Sequence, residues 1–133
     1  MQAASLIRVM VVEDFPPFRE LVCSKLQQKS ELRVVCEVSD GLEAVQKAHE
    51  LKPDLIVLDI GLPTLNGIEA ARRIRGIVPE SKIIFSTQET SSAFVQEAMR
   101  LGAWGYVYKS HVACDLLPAI NAVLSGQRFV SNA

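Results

Sequence analysis

The stretch Leu55-Ile56-Val57-Leu58-Asp59, followed by Ile60-Gly61-Leu62-Pro63, decides the fold. Four consecutive apolar residues that end in a carboxylate predict a parallel β-strand buried on both faces. Pro53 precedes this run where a helix has ended, and the glycine and proline that follow the run close it without a tight hairpin. Because α/β proteins bind ligands at the carboxyl ends of such strands, Asp59 is expected to lie in a functional site.

The length and composition indicate one globular domain. A chain of 133 residues that is 49% hydrophobic can bury a core without disulfides or structural metals. No apolar run reaches membrane-spanning length, and the N-terminus lacks the pattern of a signal peptide. We therefore expect a soluble, cytoplasmic protein with no membrane partner.

The charge and the cysteines exclude several function classes. A formal net charge of -1 gives no overall basic surface for nucleic acid, so we expect no direct DNA binding by this chain. Cys23, Cys36 and Cys114 are odd in number and lack CxxC spacing, which argues against a disulfide framework and a zinc site. We interpret them as reduced thiols.

The rest of the chain alternates predicted strands and helices. Strands are predicted over 7–12, 32–38, 55–59, 82–86 and 105–109, and each is followed by a helical pattern of apolar residues. Five strands that alternate with five helices indicate a parallel sheet, so we predict an α/β three-layer sandwich. The strand order does not follow from the pattern, although 2-1-3-4-5 is the common order at this size.

The start of the last helix is constrained by Pro118. A proline is tolerated within the first helical turn, where its missing N–H would have no partner, but not deeper in the helix. This rule predicts that Asp115 caps the helix and that 110–114 form a separate turn. The closing segment 127–133 is too short for a further module.

Four predicted strands end in functional groups. These are the carboxylates of Glu13-Asp14 and Asp59, the hydroxyl of Ser86 and the ammonium of Lys109. Since the ends of parallel strands share one edge, the groups are expected to converge. Clustered carboxylates repel one another unless a cation lies between them, and a cluster of oxygen ligands suits Mg²⁺.

This cluster predicts a site for phosphoryl transfer. Asp14 and Asp59 are the expected direct Mg²⁺ ligands, and the backbone carbonyl of Gly61 is a third candidate, because glycine has no side chain to obstruct it. A metal-bound carboxylate beside a lysine and a hydroxyl suits a phosphoryl group, whose oxygens need fixed cations and donors. Asp59 is the expected nucleophile and would form an aspartyl phosphate.

The same residues carry a resemblance to a known family. The spacing of these residues resembles that of the receiver domain of bacterial two-component response regulators. The matching residues are Glu13-Asp14, Asp59 with Leu62-Pro63 and Asn66-Gly67, Ser86, and Gly105-Tyr106 with Lys109. The resemblance covers nearly the whole chain. The runs 67–72 and 126–129 are similar to the NarL/FixJ type, in which a similar closing segment leads into a helix-turn-helix DNA-binding domain.

The resemblance implies a fold and partners. Residues 1–133 would form a single receiver domain with a flavodoxin/CheY-like fold, without a DNA-binding output domain. A sensor histidine kinase would supply the phosphoryl group, transcription would be the controlled output, and phosphorylation would promote homodimer formation. The domain would act as a phosphoryl acceptor with slow self-dephosphorylation and not as an enzyme.

The resemblance also implies roles for individual residues. Asp59 would be the phosphoacceptor, Glu13 and Asp14 would form the Mg²⁺ site with it, and Lys109 would contact the phosphoryl group. Ser86 and Tyr106 occupy the family's switch positions. In this hypothesis the Ser86 hydroxyl moves toward the phosphoryl group and vacates space that the Tyr106 ring enters, which would reshape the surface around the fourth and fifth helices.

Two departures from the family pattern concern the site. Ser110 follows Lys109 where many receivers have a proline with a cis bond, and this leaves the local backbone geometry open. Phe15-Pro16-Pro17 replaces a loop that is usually more polar, which would narrow access for a phosphodonor.

Two other functions remain as alternatives. A phosphatase of the haloacid dehalogenase type also uses an aspartate nucleophile, but it needs a second Asp two residues later, where this chain has Gly61. A pseudo-receiver would bind partners without phosphorylation, and the complete acidic set with Lys109 argues against it.

Overall fold

A computed structural model, which describes residues 6–132, shows a parallel sheet between two layers of helices. The strands are β1 (Ile7–Val12), β2 (Leu32–Val38), β3 (Leu55–Leu58), β4 (Lys82–Thr87), β5 (Gly105–Tyr108) and β6 (Phe129–Val130). The helices are α1 (Pro16–Gln27), α2 (Gly41–Leu51), α3 (Gly67–Ile77), α4 (Ser92–Arg100) and α5 (Val112–Leu124), with a 3₁₀ turn over Lys109–His111. The sheet order is β2-β1-β3-β4-β5-β6. The predicted three-layer fold and order 2-1-3-4-5 are confirmed.

The central strand is buried on both faces, as predicted. Ile56 and Leu58 pack in a core with residues of α2, α3 and α4, and Leu55 and Val57 pack in a second core with residues of α1 and α5. All four side chains are at most 2% exposed. The strand is continuously apolar because each of its faces is covered by helices.

The sheet has six strands within the described residues, so the prediction of five was wrong by one. β6 pairs in parallel with β5 and is followed by Ser131, whose N–H donates to the Tyr106 carbonyl at 2.8 Å. The Ser131 hydroxyl donates to Asp115 at 2.7 Å and accepts from the Tyr108 N–H at 3.2 Å. These bonds hold a two-residue strand that is too short to show any periodicity in the sequence.

We expect Ser131→Ala to destabilise the fold. The serine is 3% exposed, and its loss leaves the buried Tyr108 N–H without this acceptor. The free energy of unfolding should fall by about 1–3 kcal/mol, measured by urea denaturation. Ser125→Ala is the control because that hydroxyl donates to Asn121 at an exposed helix end. Equal stability of the two variants would show that the bonds of Ser131 contribute nothing.

The predicted start of the last helix is wrong. α5 begins at Val112, directly after the 3₁₀ turn, and Pro118 lies inside it. Asp115 is in the first helical turn and accepts from Ser131 instead of capping the helix. The helix tolerates the hydrogen bond that Pro118 removes because buried side chains lie on both sides of the proline, from Val112 before it to Val123 after it.

Candidate functional site

The carboxyl ends of β1, β3, β4 and β5 surround a cavity of about 250 Å³. Its lining residues are Glu13, Asp14, Phe15, Asp59, Gly61, Thr87, Gln88, Glu89 and Lys109. The structure therefore brings together the two acidic strand ends and the lysine, as the sequence predicted. Parallel topology explains this convergence, since the carboxyl ends of all these strands lie at one edge of the sheet.

Asp59 is held by the backbone around it. Its Oδ1 accepts from the Ile60 N–H at 2.7 Å, and its own N–H donates to the Val12 carbonyl at 3.1 Å. Gly67, the first residue of α3, lies so close that a Cβ there would be 1.9 Å from the Asp59 carbonyl oxygen. Only glycine fits at this position, and the loop after β3 is thereby packed directly against the Asp59 backbone.

Lys109 forms ion pairs with two carboxylates. Its Nζ lies 2.9 Å from Oε1 of Glu13 and 3.2 Å from Oδ2 of Asp59. β5 ends at Tyr108, and the 3₁₀ turn that begins at Lys109 follows at the sheet edge. Burial lowers the pKa of Lys109, but the hydrogen bonds and charges of Glu13 and Asp59 outweigh burial, so the pKa is raised and the ammonium stays charged.

The three carboxylates can share a metal ion. Glu13, Asp14 and Asp59 each offer one oxygen, and these oxygens lie within 4.8 Å of one another. Glu13 and Asp59 are buried, whereas Asp14 is exposed. Burial is the main reason that the pKa of Glu13 is raised, and the charge of Asp59 adds to the effect.

The observed geometry fits a small hard cation. Oε2 of Glu13 accepts from the Phe15 N–H at 3.0 Å, and the contact of the buried Oε1 within the described residues is the Lys109 ammonium at 2.9 Å. An all-oxygen set with one exposed member matches Mg²⁺, which keeps several waters. Gly61 lines the cavity, and a Cβ there would meet nothing within 4 Å, although its carbonyl as a ligand stays a prediction.

The two hydroxyls at the end of β4 lie on opposite faces of the sheet. Phe85 packs in the same core as Tyr106, and Ile84 packs in the other core. Alternation along the strand places Ser86 opposite Tyr106 and Thr87 on the same face as Tyr106. Thr87 lines the cavity, whereas Ser86 is not among the lining residues, and its buried Oγ has no hydrogen-bond partner within the described part of the chain.

Thr87 is therefore a site residue that the sequence analysis missed. The exchange of space between Ser86 and Tyr106 stays a prediction: the two side chains lie on different faces of the sheet, and alternation along β3 places Asp59 on the same face as Ser86. The only sequence signal for Thr87 is its position as the second of two adjacent hydroxyl residues at the strand end.

Tyr106 is fully buried and connects β5 to the loop after β4. Its hydroxyl donates to the Glu89 carbonyl at 2.6 Å, and its ring lies 6.1 Å from the Phe85 ring and 6.0 Å from the Tyr108 ring. Burial raises the pKa of Tyr106, so the hydroxyl remains protonated and donates. Because Glu89 lines the cavity, Tyr106 contacts a loop that borders the same cavity as Asp59.

The two departures noted in the sequence are visible at the site. No cis peptide bond occurs in residues 6–132, so the Lys109–Ser110 bond is trans. Phe15 lines the cavity and is 59% exposed, which places an aromatic residue at the entrance.

Comparison with known proteins identifies the family. Residues 9–121 match the model of the response regulator receiver domain, so the chain belongs to this family. The sequence is 36% identical over 121 residues to the transcriptional regulatory protein LnrK of Bacillus subtilis, covering 91% of this chain and 55% of that protein. The chain thus spans little more than half the length of this relative.

Solved structures agree with the observed fold. A LuxR-family two-component response regulator from Aurantimonas sp. SI85-9A1 is 38% identical with a TM-score of 0.89, covering 94% of this chain and 89% of that one. The response regulator domain of Thermotoga maritima CheB is 35% identical with a TM-score of 0.77, covering 91% and 92% of the respective chains. The resemblance to receiver domains of the NarL/FixJ type is confirmed by such neighbours, which include LuxR-family and NarL proteins.

The described helices provide no candidate for a membrane span, since none is both long and apolar enough.

Proposed function

We propose that this receiver domain is a phosphorylation-controlled switch in which Asp59 accepts a phosphoryl group from a sensor histidine kinase. One observation carries the proposal: Asp59 lies 3.2 Å from the Lys109 ammonium and within 4.8 Å of the Glu13 and Asp14 oxygens. A nucleophilic carboxylate, a fixed cation and an oxygen cluster for a metal are the groups that phosphoryl transfer requires.

The residues divide the chemistry among them. The Ile60 N–H occupies Oδ1 of Asp59, so Oδ2, which faces Lys109, is the oxygen expected to bond to phosphorus while the donor's bond to phosphorus breaks. Lys109 is placed to contact a phosphoryl oxygen. Glu13, Asp14 and Asp59 would hold Mg²⁺, which when bound supplies positive charge for the phosphoryl oxygens. Burial of Asp59 at 6% exposure limits access of water to the acyl phosphate.

The signal is proposed to leave the site through Thr87 and Tyr106. A phosphoryl oxygen on Asp59 is a new acceptor for the Thr87 hydroxyl, which now accepts from the Glu89 N–H at 3.3 Å. Movement of Thr87 would therefore shift the loop whose Glu89 carbonyl holds the Tyr106 hydroxyl. The surface of α4, β5 and α5 would change with it, and homodimer formation or an output-domain contact would respond to this change.

Substitution of the two hydroxyls distinguishes their roles. In Thr87→Ala, phosphoryl uptake should slow by about 10- to 100-fold because one hydrogen bond to a charged group is lost. Ser86→Ala should change the rate by less than about threefold, since Ser86 does not line the cavity that contains Asp59, whereas Thr87 does. The rates are read by intact mass over time. The reverse ranking would restore Ser86 as the hydroxyl that contacts the phosphoryl group.

The proposed setting follows from the family. The domain would work in the cytoplasm, and its output would be transcription through a DNA-binding domain outside this chain, as the names of LnrK and the LuxR-family neighbour suggest. The T. maritima relative is a protein-glutamate methylesterase/protein-glutamine glutaminase, but this chain covers only 33% of it, and the match gives no support for that enzymatic activity in this chain. The phosphatase alternative is disfavoured because Gly61 offers no acid/base group.

The direct test is intact mass after incubation with phosphoramidate. With Mg²⁺ the wild-type protein should gain the mass of one phosphoryl group, and with excess EDTA it should gain none. No gain under either condition would favour the pseudo-receiver, whereas sustained hydrolysis of general phosphate monoesters would favour the phosphatase.

A further inference from the structure

Phe18 contacts the ammonium of Lys109 through the face of its ring. The Lys109 Nζ lies 4.6 Å from the ring centroid, while the same atom is 2.9 Å from Glu13 and 3.2 Å from Asp59. We propose that Phe18 is a positioning residue that holds the Lys109 ammonium beside Asp59 by a cation–π interaction. This inference rests on the proposed phosphoryl transfer and adds to it a residue with no polar atom in its side chain.

The ring is placed by a rigid segment. Pro16-Pro17 occupy the first positions of α1 and fix its backbone, and Phe18 follows them directly. Arg19 donates from its backbone N–H to the Phe15 carbonyl and from Nη1 to the Glu13 carbonyl at 2.8 Å. These two hydrogen bonds connect Arg19, which follows Phe18, to the residues that precede it in the loop and at the end of β1. In this arrangement the two prolines, which stand where the family usually has a more polar loop, fix the backbone that carries the Phe18 ring.

The environment of the ring strengthens the interaction. Phe18 is half-buried and packs against the core formed with α1 and α5, and the Lys109 side chain is 15% exposed. A cation that is partly removed from water is attracted to an aromatic face more strongly than one on an open surface. The ring thereby offsets part of the cost of burying the ammonium.

A partner without oxygen atoms has a specific advantage at this site. Glu13 and Asp59 both pair with Lys109, yet they belong to the carboxylate set that would hold a divalent cation. A cation on those oxygens weakens their hold on the ammonium, because the carboxylate charge is then shared. Phe18 has no carboxylate with which to bind such an ion, so its contact with Lys109 would not be weakened by the ion. The lysine would then remain near Asp59, with N–H groups free for a phosphoryl oxygen.

Nuclear magnetic resonance tests the contact without any phosphoryl transfer. In the wild-type protein, the Lys109 Cε protons should show an upfield ring-current shift that persists when Mg²⁺ is added and disappears in Phe18→Leu. Phe129→Leu is the matched control, because Phe129 is also a half-buried ring that packs against the same core. Absence of the shift in the wild type, or its survival in Phe18→Leu, would overturn the proposal.

A fluorination series tests whether the ring's electrostatics matter. Replacing Phe18 by mono-, di- and trifluorophenylalanine weakens the negative ring face with little change in shape, so uptake from phosphoramidate should slow stepwise, on the order of tenfold in total. The same series at Phe129 should leave the rate unchanged. Equal uptake rates across the fluorination series at Phe18 would refute a positioning role. If the wild type takes up no phosphoryl group, the proposed function fails, and the resonance shift alone decides whether Phe18 positions Lys109.

Discussion

Asp59→Asn should abolish phosphoryl uptake while leaving the protein folded. An amide oxygen is a poor nucleophile and carries no charge, so the variant should gain no mass with phosphoramidate and Mg²⁺, a loss of at least about 10³-fold. The asparagine Oδ1 can still accept from the Ile60 N–H, which holds the loop after β3 in place. Removal of one carboxylate relieves repulsion with Glu13 and Asp14 but also removes one of the two ion pairs of Lys109, which keeps Glu13 at 2.9 Å, so the melting temperature should stay close to that of the wild type.

Asp54→Asn is the matched control for this result. Asp54 lies at the opposite end of β3 and accepts from the Arg8 N–H, a role that asparagine can keep. The control should gain mass at the wild-type rate. Equal mass gain in Asp59→Asn and the wild type would mean that the phosphoryl group bonds elsewhere, and peptide mapping would then locate the true acceptor.

The convergence of the site could be predicted because it depends on topology. An unbroken apolar run fixes a parallel strand, and parallel strands bring their carboxyl ends together whatever their order. Glu13, Asp59 and Lys109 were therefore placed at one edge from the sequence alone, and the structure brings them within ion-pair distance.

The faces of the sheet that Ser86 and Thr87 occupy could not be predicted from the sequence. Ile83, Ile84 and Phe85 are all fully buried, since helices cover both faces of β4. A strand that is apolar on both faces shows no alternation, so its sequence does not reveal which face each residue occupies. The structure shows the face of each residue, because Ile84 and Phe85 pack in different cores.

The errors near the C-terminus arose where tertiary contacts outweigh local rules. Pro118 predicts a helix start by backbone chemistry, but burial of the apolar face of α5 extends the helix through the proline. β6 is fixed by Ser131, which bonds to Asp115 and to the backbone of β5. Neither bond leaves a signal in the local sequence, because both join residues at least 16 positions apart.

Lys109→Gln should change two measured quantities in opposite directions. Loss of the fixed cation should slow phosphoryl uptake by about 10²- to 10³-fold, because the charge on the transferring oxygens loses a preorganised partner. The same substitution removes a positive charge that lies 2.9 Å from Glu13 and 3.2 Å from Asp59. Mg²⁺ no longer competes with that charge for the carboxylates, so its affinity should rise by about tenfold or more, measured by isothermal titration calorimetry.

The opposed signs separate catalysis by Lys109 from a merely structural role. A variant that lost the site through unfolding would bind Mg²⁺ less tightly and transfer more slowly, so both quantities would fall together. Lys82→Gln makes the same change in net charge at the other end of the sheet, where Lys82 donates to the Val123 carbonyl and lies over Trp104. It should alter neither the transfer rate nor the Mg²⁺ affinity appreciably. Faster uptake in Lys109→Gln would show that the lysine restrains Asp59 instead of assisting it, and the proposed contact with the phosphoryl group would then be wrong.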